Sequence, residues 1–584
     1  MDHIGLDFRN TNALWASILV ETLHRLGLRS AVLCPGSRST PMTIAFVSHP
    51  QIEAIPVLDE RSASFFALGL ARQRHQPVAL VCTSGTAGAN FYPAVIEARE
   101  SRVPLLVFTA DRPPELRDCN AGQAIDQQKL FGSFPNWYTE LALPEPKPEL
   151  LAYLRQTLIY AWERTLWPAP GPVHLNLPLR DPLAPLPDPT AQDSIAQLQL
   201  AHFFDSVHSL TFPTPHLPVP LSTWQSCTHG LILAGPAQPA EPDRYCEAVV
   251  RLSKALGWPV LAEGLSPLRN QADRNPFLIS TYDLILRNGD LAKHLAPQMV
   301  IRLGEMPTSK QVRTWLPQIQ PRQWIVTADD RNLDPLHLPS TSLRTSIEQI
   351  ANQLPDEAAP PTPYLKDWCA AERQVREQLD RTLATLQEPF EGKAAWLLSQ
   401  HLPAGTPLFI ASSMPVRDVE FFWAPNSSRV QPYFNRGANG IDGTLSTALG
   451  IAHRQQSSVL LTGDLALLHD TNGFLLRQQF QGHLTILLIN NNGGGIFEML
   501  PIAQFEPPFE EFFATPQNIC FADLSRTYGI DYEVMETWEQ LIDRLNPLPP
   551  LGMRLLELQT NRKADARWRH TLFQEISSLW VQNS

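Results

Sequence analysis

Ser458–Phe497, SVLLTGDLALLHDTNGFLLRQQFQGHLTILLINNNGGGIF, is the stretch from which the rest of the chain can be read. An apolar run ends in Gly463-Asp464, a helical segment of about two dozen residues is expected to follow, and a second apolar run ends in Asn490-Asn491-Asn492 before three glycines. Neither run alternates polar with apolar, the pattern of strands buried on both faces of a parallel sheet. If the two are parallel neighbours joined by that helix, Asp464 and Asn491 arrive at the same edge of the sheet. A carboxylate, a carboxamide oxygen and a backbone carbonyl from the glycine loop, at Gly493, are the hard oxygen ligands that suit Mg²⁺ carrying a diphosphate. Glycines there let the backbone approach closely. The same residues also read as two ordinary βα turns with an Asp cap and Asn-Gly turn chemistry, and the stretch alone does not choose.

The same strand-to-turn pattern recurs on either side. Ala31–Cys34 empties into Pro-Gly-Ser, Val78–Cys82 into Thr-Ser-Gly-Thr, and Pro104–Thr109 into Ala-Asp-Arg-Pro. A second set follows at Leu231–Gly235, Val260–Glu263, Val300–Gly304 and Trp324–Asp329, and a third begins at Leu408–Ser413. Leu14, Ile18, Leu19, Leu23 and Leu26 recur at helical spacing before Gly27, a helix with its stop. The fold class is α/β, with three consecutive doubly wound parallel-sheet domains at 1–190, 191–355 and 356–584. Pro-rich stretches at Asp181–Pro189 and Pro213–Pro220, and a Pro/Ala/acidic stretch at Leu354–Pro363, read as linkers. No residue-level repeat relates the three sets. In such sheets ligands bind at the carboxyl ends of the strands.

Composition narrows the class. The 584 residues are 43% hydrophobic, which excludes a disordered or fibrous chain, and the formal charge of −12 without a basic run argues against a nucleic-acid partner. Seven scattered cysteines with no C-x-x-C suggest reduced thiols rather than a disulfide framework or zinc ribbon. The first residues lack an apolar leader core and no run approaches the roughly 18 apolar residues of a membrane span, so a cytoplasmic protein without membrane association is expected. Gly392-Lys393 lacks the upstream glycine of a P-loop, and Gly437–Gly443 (GANGIDG) is not a dinucleotide fingerprint.

The Gly463-Asp464…Asn490-Asn491 arrangement resembles the diphosphate and Mg²⁺ motif of thiamine diphosphate enzymes, with Leu465 where that motif usually has Gly. Those enzymes also carry a glutamate on an N-terminal domain that hydrogen-bonds the cofactor's aminopyrimidine. Glu60, after a short strand and at a helix start, matches it; alone it would also read as a carboxylate complementing a helix dipole. Within that superfamily the strings Cys34–Pro41 (CPGSRSTP), Thr83–Asn90 (TSGTAGAN), Asp111–Gln127 (DRPPELRDCNAGQAIDQ), Asn435–Thr447 (NRGANGIDGTLST) and Asn490–Phe497 resemble the branch that acts on isochorismate.

That resemblance implies thiamine diphosphate with Mg²⁺, or Mn²⁺ in its place, held by Asp464, Asn491 and Gly493, with Gly463, Leu465 and Ile441 against the cofactor and Glu60 as the catalytic residue. It implies decarboxylation of 2-oxoglutarate and addition of the succinyl unit to isochorismate in menaquinone or phylloquinone biosynthesis. Ser37, Arg38, Arg112 and Gln123 would line the isochorismate pocket, and Ser413, Arg417 and Arg436 would hold carboxylates nearer the oxoacid; guanidinium forks suit such groups. The family's adjacent basic pair in the central domain is here Lys310-Gln311, so Lys310 alone is carried over, with a solvated lysine as the alternative. A homodimer or homotetramer is implied, with Glu60 and Asp464 meeting across a subunit interface. Two alternatives stay open: another thiamine diphosphate-dependent 2-oxoacid decarboxylase or acetolactate-type synthase, and a non-catalytic scaffold of the same fold. Phe497–Pro516, rich in Phe, acidic residues and proline, reads either as a cap on the site or as a packed surface loop.

Overall fold

The computed structural model describes residues 6–189, 195, 198, 200, 202–212 and 217–578. The position 190/191 given above as a domain boundary, and Pro213–His216 of the second Pro-rich stretch, lie outside the described residues.

Three six-stranded sheets are present. The first contains β1 (Ser30–Leu33), β2 (Glu53–Pro56), β3 (Val78–Cys82), β4 (Leu105–Asp111), β5 (Trp137–Glu140) and β6 (Pro172–Pro178) in the order β2-β1-β3-β4-β6-β5. The second contains β7 (Gly230–Ala234), β8 (Val260–Ala262), β9 (Leu278–Ile279), β10 (Met299–Leu303), β11 (Arg322–Val326) and β12 (Ser340–Leu343) in the order β12-β11-β10-β7-β8-β9. The third contains β13 (Pro407–Ile410), β14 (Gln431–Tyr433), β15 (Ser458–Gly463), β16 (His483–Asn490), β17 (Asp531–Val534) and β18 (Gly552–Gln559) in the order β14-β13-β15-β16-β18-β17. Every strand pair is parallel. Counted from its own first strand, the third sheet repeats the order of the first, a duplication of topology that leaves no repeat in the residues.

The helices that matter below are α1 (Thr11–Leu26), α2 (Glu60–Arg74), α3 (Lys310–Ile319), α4 (Glu391–His401), α5 (Met414–Phe422), α6 (Thr444–Ala452), α7 (Asp464–Leu468) and α8 (Arg562–Ser578).

The chain divides into two compact units. One takes Met1–Pro213 with Asn435–Arg454 and His469–Gln481; the other takes Thr214–Phe434, Gln455–Leu468 and Gly482–Ser584. In the first unit the strands β1, β3, β4 and β6 are buried along their whole length. Leu14, Ile18 and Leu19 of α1 pack on them with Phe46 and Phe108, each such side chain contributing about 1.5–3 kcal/mol by leaving water. Gly27 ends α1 at φ 125°, where a side chain would be strained.

The Pro-rich stretch after β6 is not a free linker. The side-chain amide of Asn10 donates to the carbonyls of Ala184 and Leu186, both at 2.9 Å, and that of Asn12 donates to Arg180 (2.8 Å) and Pro182 (2.9 Å). Its prolines have no N–H to pair, so its carbonyls are satisfied by side chains at the start of α1 instead. In the same unit α2 crosses α6 at a glycine pair. A Cβ on Gly69 would lie 2.2 Å from the Thr447 carbonyl oxygen, and one on Gly450 would lie 2.2 Å from that of Phe66.

In the second unit one apolar cluster runs from Leu231, Leu261 and Val300 of the second sheet through Trp368 to Val459, Leu487 and Leu556 of the third. β15 and β16 are parallel neighbours in register Ser458↔Leu484 through Gly463↔Ile489, as the opening stretch requires. The connection between them differs from the expected long helix. α7 stops at Leu468 and a 3-10 helix spans Thr471–Gln478, broken at Asp470 (φ −137°, ψ 33°). The Asp470 carboxylate accepts from the backbone N–H (2.7 Å) and hydroxyl (2.9 Å) of Ser446, so the side chain draws the backbone out of helical geometry.

Candidate functional site

In the second unit, Asp464 and Asn491 follow directly from the adjacent strands β15 and β16 and so lie at the same carboxyl edge. The buried Asp464 carboxylate accepts the N–H of Leu465 at Oδ1 (2.8 Å) and that of Gly493 at Oδ2 (2.7 Å). Burial pushes its pKa up to about 6, opposed by those two N–H groups. Leu465, where glycine is usual, contributes this N–H, which any residue can supply. Asn491 donates Nδ2–H to Glu391 Oε2 at 3.1 Å, while its Oδ1 is buried without a hydrogen-bond partner among the described residues. An unpaired buried carboxamide oxygen costs about 1–3 kcal/mol unless something else satisfies it, and a hard cation is such a group.

The glycines on the two sides of this edge differ. Gly493 has φ 137°, and a Cβ there would lie 2.3 Å from the Ala514 carbonyl oxygen, so the protein itself demands glycine. Its carbonyl accepts from Gly495 N–H at 2.9 Å and retains a second lone pair. Gly463 has nothing within 4 Å of its missing Cβ, so no protein atom demands glycine there and the open space suits a bound group. A cavity of about 270 Å³ adjoins the same strand ends, lined by Asp464, Leu468, Asn490, Asn492, Asn518 and Thr560 among others. One carboxylate, one unpartnered amide oxygen, one carbonyl and this space fit Mg²⁺ with a diphosphate. Among the described residues no group of three or more His, Cys, Asp or Glu side chains is placed to hold a metal.

Arg562 at the start of α8 fastens the loop that follows. It donates to the Asn492 carbonyl (2.8 Å) and Glu498 (3.1 Å) and pairs with Glu510. Of the phenylalanines in Phe497–Pro516, Phe509 is buried while Phe505 and Phe512 are exposed, and short helical turns span Pro501–Gln504 and Glu510–Ala514. Elsewhere in the unit, Ser413 caps α5 at φ 76°, a left-handed conformation that costs a non-glycine residue about 1–3 kcal/mol, and its carbonyl accepts from Arg417 Nη1 at 2.5 Å. Lys310 is exposed at the first position of α3, whereas Arg313 turns back onto the Pro307 carbonyl at 2.8 Å.

In the first unit, Glu60 opens α2, whose N-cap Asp59 accepts the Ser62 N–H at 3.0 Å. The Cys34 and Cys82 thiols, just after β1 and at the end of β3, are pushed up by burial, Cys34 further by Cys82 and both by Glu60. Arg38 is buried, donates Nη1–H to the Leu179 carbonyl at 2.9 Å, and has no partner for its Nε–H among the described residues. Burial lowers its pKa and the Arg112 cation lowers it further, opposed by Asp181, whose carboxylate lies 3.7 Å from Nη1, and by Asp111. Arg112 donates to Ser84 Oγ and to the Gly122 carbonyl, both at 2.9 Å, and Gln123 Nε2 donates to the Ser84 carbonyl at 2.9 Å. Ser37 is exposed next to Arg38. This cluster of donors can hold a dianion. Arg436 and the half-buried Ile441 belong to a loop of the same unit, where Glu97 accepts the N–H groups of Gly437 (3.0 Å) and Ala438 (2.7 Å).

Several residues that hold these groups carry no local sequence signal. Ser84 joins Arg112 to Gln123, and Gln127 accepts the Gly85 N–H at 2.8 Å while donating to Asn176 at 3.0 Å. Glu391 and its partner Arg569 stand behind Asn491.

Comparison with known proteins resolves the family. Residues 15–130 match the family model "Thiamine pyrophosphate enzyme, N-terminal TPP binding domain", and residues 216–410 match "Middle domain of thiamine pyrophosphate". A Nostoc species has a 2-succinyl-5-enolpyruvyl-6-hydroxy-3-cyclohexene-1-carboxylate synthase 63% identical over 568 residues, covering 96% of this chain and 97% of the relative. The chain belongs to the 2-succinyl-5-enolpyruvyl-6-hydroxy-3-cyclohexene-1-carboxylate synthase family. Synthases of the same name from Gloeothece citriformis (60% identity, 98% of this chain and 99% of the relative) and Acaryochloris marina (58%, 98% and 100%) match along their whole length. Synthases of this family are thiamine diphosphate-dependent enzymes, and the three parallel sheets are the architecture expected from that resemblance. No helix among the described residues is long and apolar enough to cross a membrane.

Proposed function

We propose that this chain, with thiamine diphosphate and Mg²⁺ or Mn²⁺ bound, converts 2-oxoglutarate and isochorismate into 2-succinyl-5-enolpyruvyl-6-hydroxy-3-cyclohexene-1-carboxylate and CO₂, in the cytoplasm, for menaquinone or phylloquinone biosynthesis. Bound thiamine diphosphate supplies the electron sink for loss of the carboxyl group. Asp464, Asn491 and Gly493 hold the cation, and Gly463 and Leu465 receive the diphosphate. Glu60 shares a proton with the aminopyrimidine ring nitrogen, and Ile441 packs against the cofactor. Arg38 and Arg112, with Ser37 and Gln123, bind the carboxylates of isochorismate. Ser413, Arg417 and Arg436, with Lys310, receive those of 2-oxoglutarate. No side chain needs to form a covalent bond, so each residue acts by binding, orientation or proton transfer. The active species is proposed to be a homodimer or homotetramer, to be checked by light scattering, with a monomeric active form counting against it.

The observation that carries the substrate assignment is the pair of first-unit arginines: Arg38, buried with its Nε–H unpartnered among the described residues and Nη1 3.7 Å from Asp181, and Arg112, held by Ser84 and the Gly122 carbonyl. Guanidinium groups of this kind suit a substrate that carries carboxylates. Mass spectrometry of the product formed from 2-oxoglutarate and isochorismate tests the reading. A succinyl adduct supports it, and an unmodified isochorismate pool refutes it.

A further inference from the structure

A metal-ligating carboxamide has a problem that a carboxylate does not: one of its two ends attracts a cation and the other repels it. Which end of Asn491 faces the cation is therefore decided by what holds the opposite end. Here Nδ2 donates to Glu391 Oε2 at 3.1 Å, and Oδ1 is the buried atom left without a partner. An ionised glutamate only accepts, so it captures the N–H₂ end and turns the oxygen away from itself. Glu391 is in turn fixed. Its Oε1 accepts from Arg569 Nη2 at 2.8 Å, and the same nitrogen donates to Asp418 at 2.6 Å. Both members of the Arg569–Glu391 pair are almost wholly buried, with side chains 1% and 2% exposed. The amide packs close to the glycine loop: a Cβ on Gly495 would lie 2.6 Å from Asn491 Nδ2, so residue 495 must stay glycine for this amide to sit where it does.

We infer that Glu391, clamped by Arg569, is the positioning residue that selects the carboxamide rotamer of Asn491 and presents its oxygen to the cation. The inference rests on the proposed role of Asn491 as a metal ligand. Asp418 extends the device, because it stands on α5 next to Arg417 and five residues beyond Ser413, so one guanidinium ties the metal-ligand support to the helix proposed to bind substrate.

Glu391→Gln retains shape but replaces an acceptor pair with one acceptor and one donor. Arg569 claims the remaining oxygen, the new Nε2–H faces Asn491, and the Asn491 amide must flip its N–H₂ toward the cation. Asn491→Asp combined with Glu391→Gln restores the pattern with donor and acceptor exchanged and the buried charge conserved. The introduced glutamine then donates its Nε2–H to one oxygen of the introduced aspartate and leaves the other oxygen for the cation. The experiment is Mn²⁺ binding by electron paramagnetic resonance on the purified full chain with thiamine diphosphate, with thermal midpoints recorded for each variant. The expected result is a loss of about 10- to 100-fold in Mn²⁺ affinity for Glu391→Gln and recovery of at least tenfold of it in the double variant. Unchanged affinity in Glu391→Gln, or a double variant no better than either single one, overturns the inference. If Glu391→Gln fails to fold, the comparison of Asn491→Asp with the double variant decides by the same criterion. Failure of the underlying reading looks different: the unsubstituted protein and Asn491→Ala would then bind Mn²⁺ equally.

Discussion

Gly463 and Gly493 flank the same edge for opposite reasons, and that contrast yields a test of where the diphosphate lies. In Gly463→Ala the added methyl meets no protein atom within 4 Å, and the backbone φ is not in the left-handed region. Removing glycine's freedom from the unfolded chain should therefore leave the apoprotein equally stable or more stable by about 0.4–1 kcal/mol. The same methyl would intrude on a diphosphate seated against the strand end. Overpacking of that size costs about 1–3 kcal/mol, a fall in thiamine diphosphate affinity of about 5- to 150-fold. Gly493→Ala should behave differently, because its Cβ would lie 2.3 Å from a backbone oxygen at φ 137°, so the apoprotein itself loses stability. Thermal midpoints of both apoproteins, with isothermal calorimetry of thiamine diphosphate in the presence of Mg²⁺, separate the effects. Unchanged cofactor affinity in Gly463→Ala, or a large drop in its apoprotein midpoint, would refute the reasoning.

Glu60→Gln should lower turnover by about 10²- to 10⁴-fold while thiamine diphosphate still binds, and near-normal turnover with a stable protein would remove Glu60 from the chemistry. Arg38→Met should raise KM for isochorismate about 10- to 150-fold, the worth of a hydrogen bond to a charged group, with KM for 2-oxoglutarate little changed; equal shifts in both would move Arg38 out of the isochorismate pocket. His174, buried in β6 and bonded to the Thr109 hydroxyl at 2.7 Å, has its pKa pushed down to about 3 by burial. The unfolded chain, with a pKa near 6.5, therefore binds the proton first as pH falls, so stability declines by up to about 1.4 kcal/mol per pH unit between roughly 6.5 and 3. His174→Gln should flatten this acid limb of the thermal midpoint, and an unchanged limb would show that His174 does not report it.

The buried parallel strands were legible because they are short apolar runs that end in glycine or polar residues, as at Val78–Cys82 and His483–Asn490. The connection from Asp464 to His483 was misread because apolar spacing cannot foresee that Asp470 prefers the N–H and hydroxyl of Ser446 to its own helix. Proline content made Asp181–Pro189 read as a linker, while the side chains that fasten it, Asn10 and Asn12, sit at the other end of the sheet's sequence. At the candidate site, Asp464, Asn491 and Gly493 announce themselves by local spacing. Glu391 and Arg569 do not: they lie 100 and 78 residues from Asn491, in no motif, and only the fold brings them against it. The repeated sheet order is equally silent, since topology constrains apolar patterning rather than residue identity.

The central claim is that one site decarboxylates 2-oxoglutarate and passes the succinyl unit to isochorismate. Release of labelled CO₂ from 1-carboxyl-labelled 2-oxoglutarate, measured with thiamine diphosphate and Mg²⁺ with and without isochorismate, tests it most directly. Release stimulated by isochorismate, matching its consumption one for one, is the predicted result; release indifferent to isochorismate, or none at all, would contradict the claim.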